Sequence, residues 1–210
     1  AQHCQGNNAI ALGTSAAYSC QGNLAIAIGY QAGYSSQGER SIYIGELAGN
    51  ASTSTDTIAI GSTGFYGNFY GGEGYSAGGY NQGGWAVAIG TQAGAYNQSC
   101  EAIAIGDTAG ARCQGCSAIA IGVSAGQTCQ HSYAVGVGAG AGQVNQKAEA
   151  VAIGHYAGYQ CQFSSAIAIG GGAGISFQKP NAIAIGSGTG QICQGQCSVA
   201  IGRKIGRAHV

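Results

Sequence analysis

Ser117-Ala118-Ile119-Ala120-Ile121-Gly122-Val123-Ser124-Ala125-Gly126 decides the fold, because Ala-Ile-Ala-Ile-Gly or a close variant returns along the chain. Its closing glycine, or the counterpart, stands at Gly13, Gly29, Gly45, Gly61, Gly74, Gly90, Gly106, Gly122, Gly138, Gly154, Gly170, Gly186 and Gly202, so eleven of the twelve steps are sixteen residues. Sixteen residues cannot bury an apolar face alone, and a continuous core arises only when such units stack. The period predicts an all-β chain: a parallel β-solenoid, or β-roll, of about thirteen sixteen-residue coils running through residues 1–210 as a single unit. At about 4.8 Å per coil the rod would be about 60 Å long.

Alternation of Ala with Ile over four residues is the period-two mark of a strand, and Ile suits a pleated surface. A helix is excluded because the recurring glycines would each cost about 1 kcal/mol there. A leucine-rich horseshoe needs a longer unit and a Leu/Asn pattern that is absent. Since Ile is the larger apolar set, the expectation is that Ile10, Ile26, Ile28, Ile42, Ile44, Ile58, Ile60, Ile103, Ile105, Ile119, Ile121, Ile167, Ile169, Ile183 and Ile185 form buried columns. The Ala columns would then face outward as a flat apolar surface.

Charged residues make up 7% of the chain, Gly 41 of 210 residues and Pro 1, with seven basic residues against seven acidic ones. That balance leaves no footprint for nucleic acid or an anionic membrane surface. No apolar run approaches the roughly 18 residues of a membrane span, so no membrane insertion is expected. The absence of Met, with a start inside a repeat at Ala1-Gln2-His3-Cys4-Gln5, reads as a fragment or processed product.

In register, the unit reads Ala-Ile-Ala-Ile-Gly-x-x-Ala-Gly-x-x-x-Gln-x-x-x. The Gln stands at Gln5, Gln21, Gln37, Gln82, Gln98, Gln114, Gln130, Gln146, Gln162, Gln178 and Gln194. In a parallel stack, identical amides one coil apart can donate and accept along the axis, so a Gln ladder is expected. The other reading of this column is a solvated turn.

The Ser117–Ala125 run resembles the head repeats of trimeric autotransporter adhesins of the YadA-like type. The resemblance implies a left-handed parallel β-roll, three chains side by side, that binds extracellular matrix or host cell surfaces. The longer period, the Gln, the common cysteines and the lack of any stalk or anchor pattern depart from that family. Gln-bearing repeats of this kind also resemble those in surface or fibre proteins of large DNA viruses.

Between Gly61 and Gly74 the pattern is three residues short, which reads as an irregular, shortened coil at 62–73. Phe65, Tyr66, Phe69 and Tyr70, with Tyr75 and Tyr80 beyond them, form either a contact surface of large area and low ordering cost or a filling for the missing strand. Six of the nine cysteines pair on neighbouring coils: Cys4 with Cys20, Cys100 with Cys116 and Cys113 with Cys129. One strand spacing lies within the usual disulfide range, so these are candidate bridges, and free thiols are the alternative.

Apparent catalytic motifs are products of the repeat. Gly74-Tyr75-Ser76-Ala77-Gly78 and Gly122-Val123-Ser124-Ala125-Gly126 spell a nucleophile elbow, but no helix follows and no His and acid pair can be assigned. Cys113-Gln114-Gly115-Cys116 lacks a second Cys-x-x-Cys, and His3, His131, His155 and His209 show no ligand spacing. No catalytic residue, metal or cofactor is expected.

These features predict a non-enzymatic fibre, spike or adhesin head at an extracellular, cell or virion surface. It would associate with itself, as a trimer or as head-to-tail filaments. Filaments are suggested because six of the seven acidic residues lie at or before Asp107 and six of the seven basic ones beyond it. The alternative is a repeat scaffold that recognises a host-surface glycan or protein through Tyr-rich variable positions.

Overall fold

The computed structural model describes residues 4–51, 54–62 and 76–203. These residues contain no helix. Twelve three-residue strands, from Ile10–Leu12 to Val199–Ile201, line up in chain order in one all-parallel sheet of about eleven turns. The register is the sequence period made physical: Ile119 lies opposite Ile103 and Val135, and Ile121 opposite Ile105 and Val137. A second wall closes each coil. There Tyr96–Gln98, Arg112–Gln114 and Thr128–Gln130 pair in parallel, as do Cys4–Gln5 and Cys20–Gln21. Single bridges carry this wall on through Val144, Gln160, Ser176 and Ile192. The chain is a parallel β-solenoid.

One step differs from the sequence expectation. Ile58 pairs directly with Val87, and Ile60 with Ile89, so the turn containing Gly61 is 29 residues long. The Gly49 amide donates to the Ala77 carbonyl, the place that Ala48 holds for Gly33. The surplus over a normal coil therefore falls between Ser62 and Ser76 in the sequence, and the stack continues without a shift of register. The coil count is lower than thirteen for this reason.

The facing of the first wall is the reverse of the expectation. Ala27, Ala59, Ala88, Ala104, Ala120, Ala152, Ala168 and Ala184 are fully buried, as are Ala118 and Ala125. The flanking residues of the same strands stand half-buried or exposed on the outer surface. None of the fifteen Ile residues expected inside is in the buried core, and Ile121, Ile169 and Ile185 are each 36% exposed. The physical reason is the separation of the walls. Where Gln side chains from the opposite wall fill the interior, no more than a methyl group fits on the inner side of the Ile strand. Size decided the facing, where hydrophobicity alone would have turned the strand over.

Such narrow coils require unusual backbone. In one turn Ser117, Ser124 and Cys129 sit at φ 56°, 56° and 55°, Gly126 at 51° and Gly122 at 124°. The first four occupy the left-handed region, which costs a non-Gly residue about 1–2 kcal/mol. At Gly122, however, a Cβ would lie 2.7 Å from the Gly138 carbonyl carbon. The same close approach recurs at Gly90, Gly106, Gly138, Gly154 and Gly170, which explains why this column admits no other residue.

Candidate functional site

The interior of the roll is an axial column of amides. Gln146 Nε2 donates to the Val135 carbonyl at 2.8 Å, to the Ala150 carbonyl at 3.0 Å and to Gln162 Oε1 at 3.2 Å, while its Oε1 accepts from Gln130 at 3.0 Å. Two hydrogens serve three acceptors, so one bond is shared. Each Gln thus joins the two walls of its own coil, the next coil's strand and the next Gln. Six residues run continuously from Gln114 through Gln130, Gln146, Gln162 and Gln178 to Gln194. Gln21 donates to Gln37 at 3.1 Å and Gln82 to Gln98 at 3.4 Å. Gln21, Gln82 and Gln114 each begin a run, and their Oε1 atoms are buried without a partner. Gln5 is exposed and donates to the Ala9 carbonyl instead.

One coil replaces this arrangement. Tyr43 stands where the inner Ala belongs and is fully buried. A Cβ on Gly49 would lie 2.5 Å from its ring. Its hydroxyl pairs with Thr57 Oγ1 at 3.0 Å, and Thr57 Oγ1 donates to Ser41 Oγ at 3.1 Å. The signal was present in the sequence, because the same coil carries Thr53 at the Gln position. In the sequence, a large residue at the inner Ala position of this unit accompanies the loss of its Gln.

The two outer faces differ in kind. Outside the first wall lie two columns of Ile, Val and Leu, one pair per strand, with no charged residue. Outside the second wall the column reads Tyr80, Tyr96, Arg112, Thr128, Val144, Gln160, Ser176, Ile192. Polar pairs sixteen residues apart decorate the corners: Asn81 donates to Asn97 at 3.0 Å, Gln143 to Gln127 at 2.8 Å and Ser165 to Glu149 at 3.1 Å. Tyr18 and Tyr34 stack at 4.9 Å and Tyr80 meets Tyr96 at 5.7 Å. Arg40 grips both carboxylate oxygens of Asp56, at 2.6 and 2.8 Å. That hydrogen-bonded guanidinium holds the Asp56 carboxyl below its ordinary value.

Of the expected aromatic surface, Phe65, Tyr66, Phe69, Tyr70 and Tyr75 lie outside the described residues, and Tyr80 belongs to the second wall. All nine cysteines are free thiols. A groove of about 330 Å³ on the second wall is lined by Cys113, Cys129 and His131 among others. No group of three or more His, Cys, Asp or Glu able to hold a metal occurs among the described residues. Both motif serines are occupied by neighbouring coils: Ser76 donates to the Leu47 carbonyl at 2.5 Å, and Ser124 shares a 3.0 Å bond with the Thr108 hydroxyl. No helix among the described residues is long and apolar enough to cross a membrane.

With this geometry in place, the class is defined as a tandem-repeat parallel β-solenoid. No family model, curated protein or solved structure matches the chain.

Proposed function

We propose that the protein is a non-enzymatic structural rod that associates with copies of itself through the Ile wall, as part of a fibre, spike or adhesin head at an extracellular, cell or virion surface. The observation that carries this reading is the uniform outer column. Twelve strands about 4.8 Å apart, each about 10 Å wide, present an apolar plane on the order of 500–600 Å². The largest apolar patch of a typical monomer is about 300–600 Å², and two such planes face to face would bury roughly 1,100 Å², close to the smallest specific interfaces. Ala and Gln fill the core, so the apolar outer columns, repeated on every strand, are left to meet a second copy.

A second reading, recognition of a glycan or protein, is favoured by the varied second wall with its Tyr80–Tyr96 pair and by the stacked Tyr18 and Tyr34 at the adjoining corner. Light scattering separates the two. The native chain is expected to be oligomeric, and Ile121→Lys with Ile153→Lys monomeric with unchanged circular dichroism. A native monomer at micromolar concentration would remove the first reading and leave the second.

A further inference from the structure

We propose that Cys4–Cys20, Cys100–Cys116 and Cys113–Cys129 are three dithiol modification sites, at which a peroxide oxidises each pair to a disulfide tying one coil to the next. The inference does not depend on self-association. It begins with register. Cys4 lies directly opposite Cys20, and Cys113 falls opposite Cys129 between the paired residues Arg112–Thr128 and Gln114–Gln130. Cys100 donates its thiol proton to Cys116 across 3.1 Å between the sulfurs. Neighbouring parallel strands are about 4.8 Å apart, inside the roughly 4.4–6.8 Å over which Cα atoms can be bridged.

The chemistry balances within each pair. One thiolate attacks a peroxide oxygen, giving a sulfenic acid and releasing one water after proton transfer. The neighbouring thiol then attacks that sulfur, forming the S–S bond and releasing the second water. Two thiols lose two hydrogens and two electrons, and hydrogen peroxide is reduced to two waters.

Solvent reaches all three pairs, since Cys4, Cys20 and Cys113 are exposed and Cys100, Cys116 and Cys129 half-exposed. The Cys4–Cys20 and Cys100–Cys116 hydrogen bonds hold Cys20 and Cys100 above the ordinary thiol value, and burial beside Cys113 pushes Cys129 up. Cys20, Cys100 and Cys129 are thereby held protonated at neutral pH. The other three cysteines are excluded by the same grid. Cys161 has Asn145 and Phe177 as column neighbours, Cys193 follows Phe177, and Cys197 follows Asn181. The two downstream pairs share the coil of Gly106, so they would bind the coils of Gly90, Gly106 and Gly122 into one block on two different columns.

The test uses the reduced full chain treated with hydrogen peroxide, followed by non-reducing peptide mapping and thermal unfolding. The expected map holds the three named bridges, with Cys161, Cys193 and Cys197 unbridged within the chain and an unfolding temperature several degrees higher that dithiothreitol reverses. Cys116→Ser should lose the Cys100 bridge alone and keep the other two. Nine alkylatable thiols after peroxide, bridges between non-neighbouring coils, or an unfolding temperature unchanged by bridging would each overturn the proposal.

Discussion

The two walls of this solenoid share one backbone path and one period, yet they divide their side chains in opposite ways. The Ile wall puts its smallest residues inside and its largest apolar ones outside on every strand but Ile42–Ile44, where Tyr43 points inward. The second wall puts one long polar residue inside, Gln on coil after coil, and varies freely outside. Invariance therefore has two different causes. Inside, Gln is fixed by the carbonyls it must reach and Ala by the space it must leave. Outside, Ile suits the pleated strand yet touches none of the core's amides, so its repetition supports the functional proposal and the varied wall only the second reading.

The largest expected effect lies where the walls meet. Gln146→Ala removes the donor to the Val135 and Ala150 carbonyls, breaks the longest ladder at its middle and opens a cavity. Denaturant unfolding should show a loss of about 2–4 kcal/mol. A smaller effect is expected outside. Ile119→Ala should cost about 1 kcal/mol of monomer stability, because its column is half-buried and truncation leaves no closed cavity. A loss for Ile119→Ala as large as that for Gln146→Ala would erase the distinction between the walls.

The smallest effect concerns the corners. Asp56 has its folded-state pKa lowered by Arg40, so the pair contributes stability above the unfolded carboxylate value and loses it as pH falls through the folded one. A slight drop in unfolding temperature is expected as pH falls below about 4, and it should be missing in Asp56→Asn. Arg40 is exposed and Asp56 half-buried, so solvent screening keeps the effect small.

The stack itself was legible in the residues, because a sixteen-residue glycine period admits few other architectures. The parallel order, the strand positions around Ile119–Ile121 and the in-register columns all follow from it. The facing did not follow. Alternation states that Ala and Ile point to opposite sides, and it contains no information on which side is inside. Only the gap between the walls settles that, and the gap depends on Gln130 reaching the Ile119 carbonyl from a strand eleven residues away. The register across Gly61 was hidden for a different reason. Gly74-Tyr75-Ser76-Ala77-Gly78 imitates the end of a repeat, whereas the chain pairs Ile58 with Val87 and treats Ala77 as part of the coil of Gly61. Tyr43 was legible in principle, through the coincidence of a bulky residue and a missing Gln in one coil.

Paired circular dichroism of Ala120→Lys and Ile121→Lys tests the facing most directly, because the two substitutions are adjacent and chemically identical. Ala120 is fully enclosed against Gln130 and its neighbours, and Ile121 lies on the open face. A buried, unpaired ammonium cannot be accommodated in so narrow a space, while an exposed one is solvated. The expected result is a β-rich spectrum with cooperative melting for Ile121→Lys and loss of both for Ala120→Lys. A folded Ala120→Lys beside an unfolded Ile121→Lys would contradict the account.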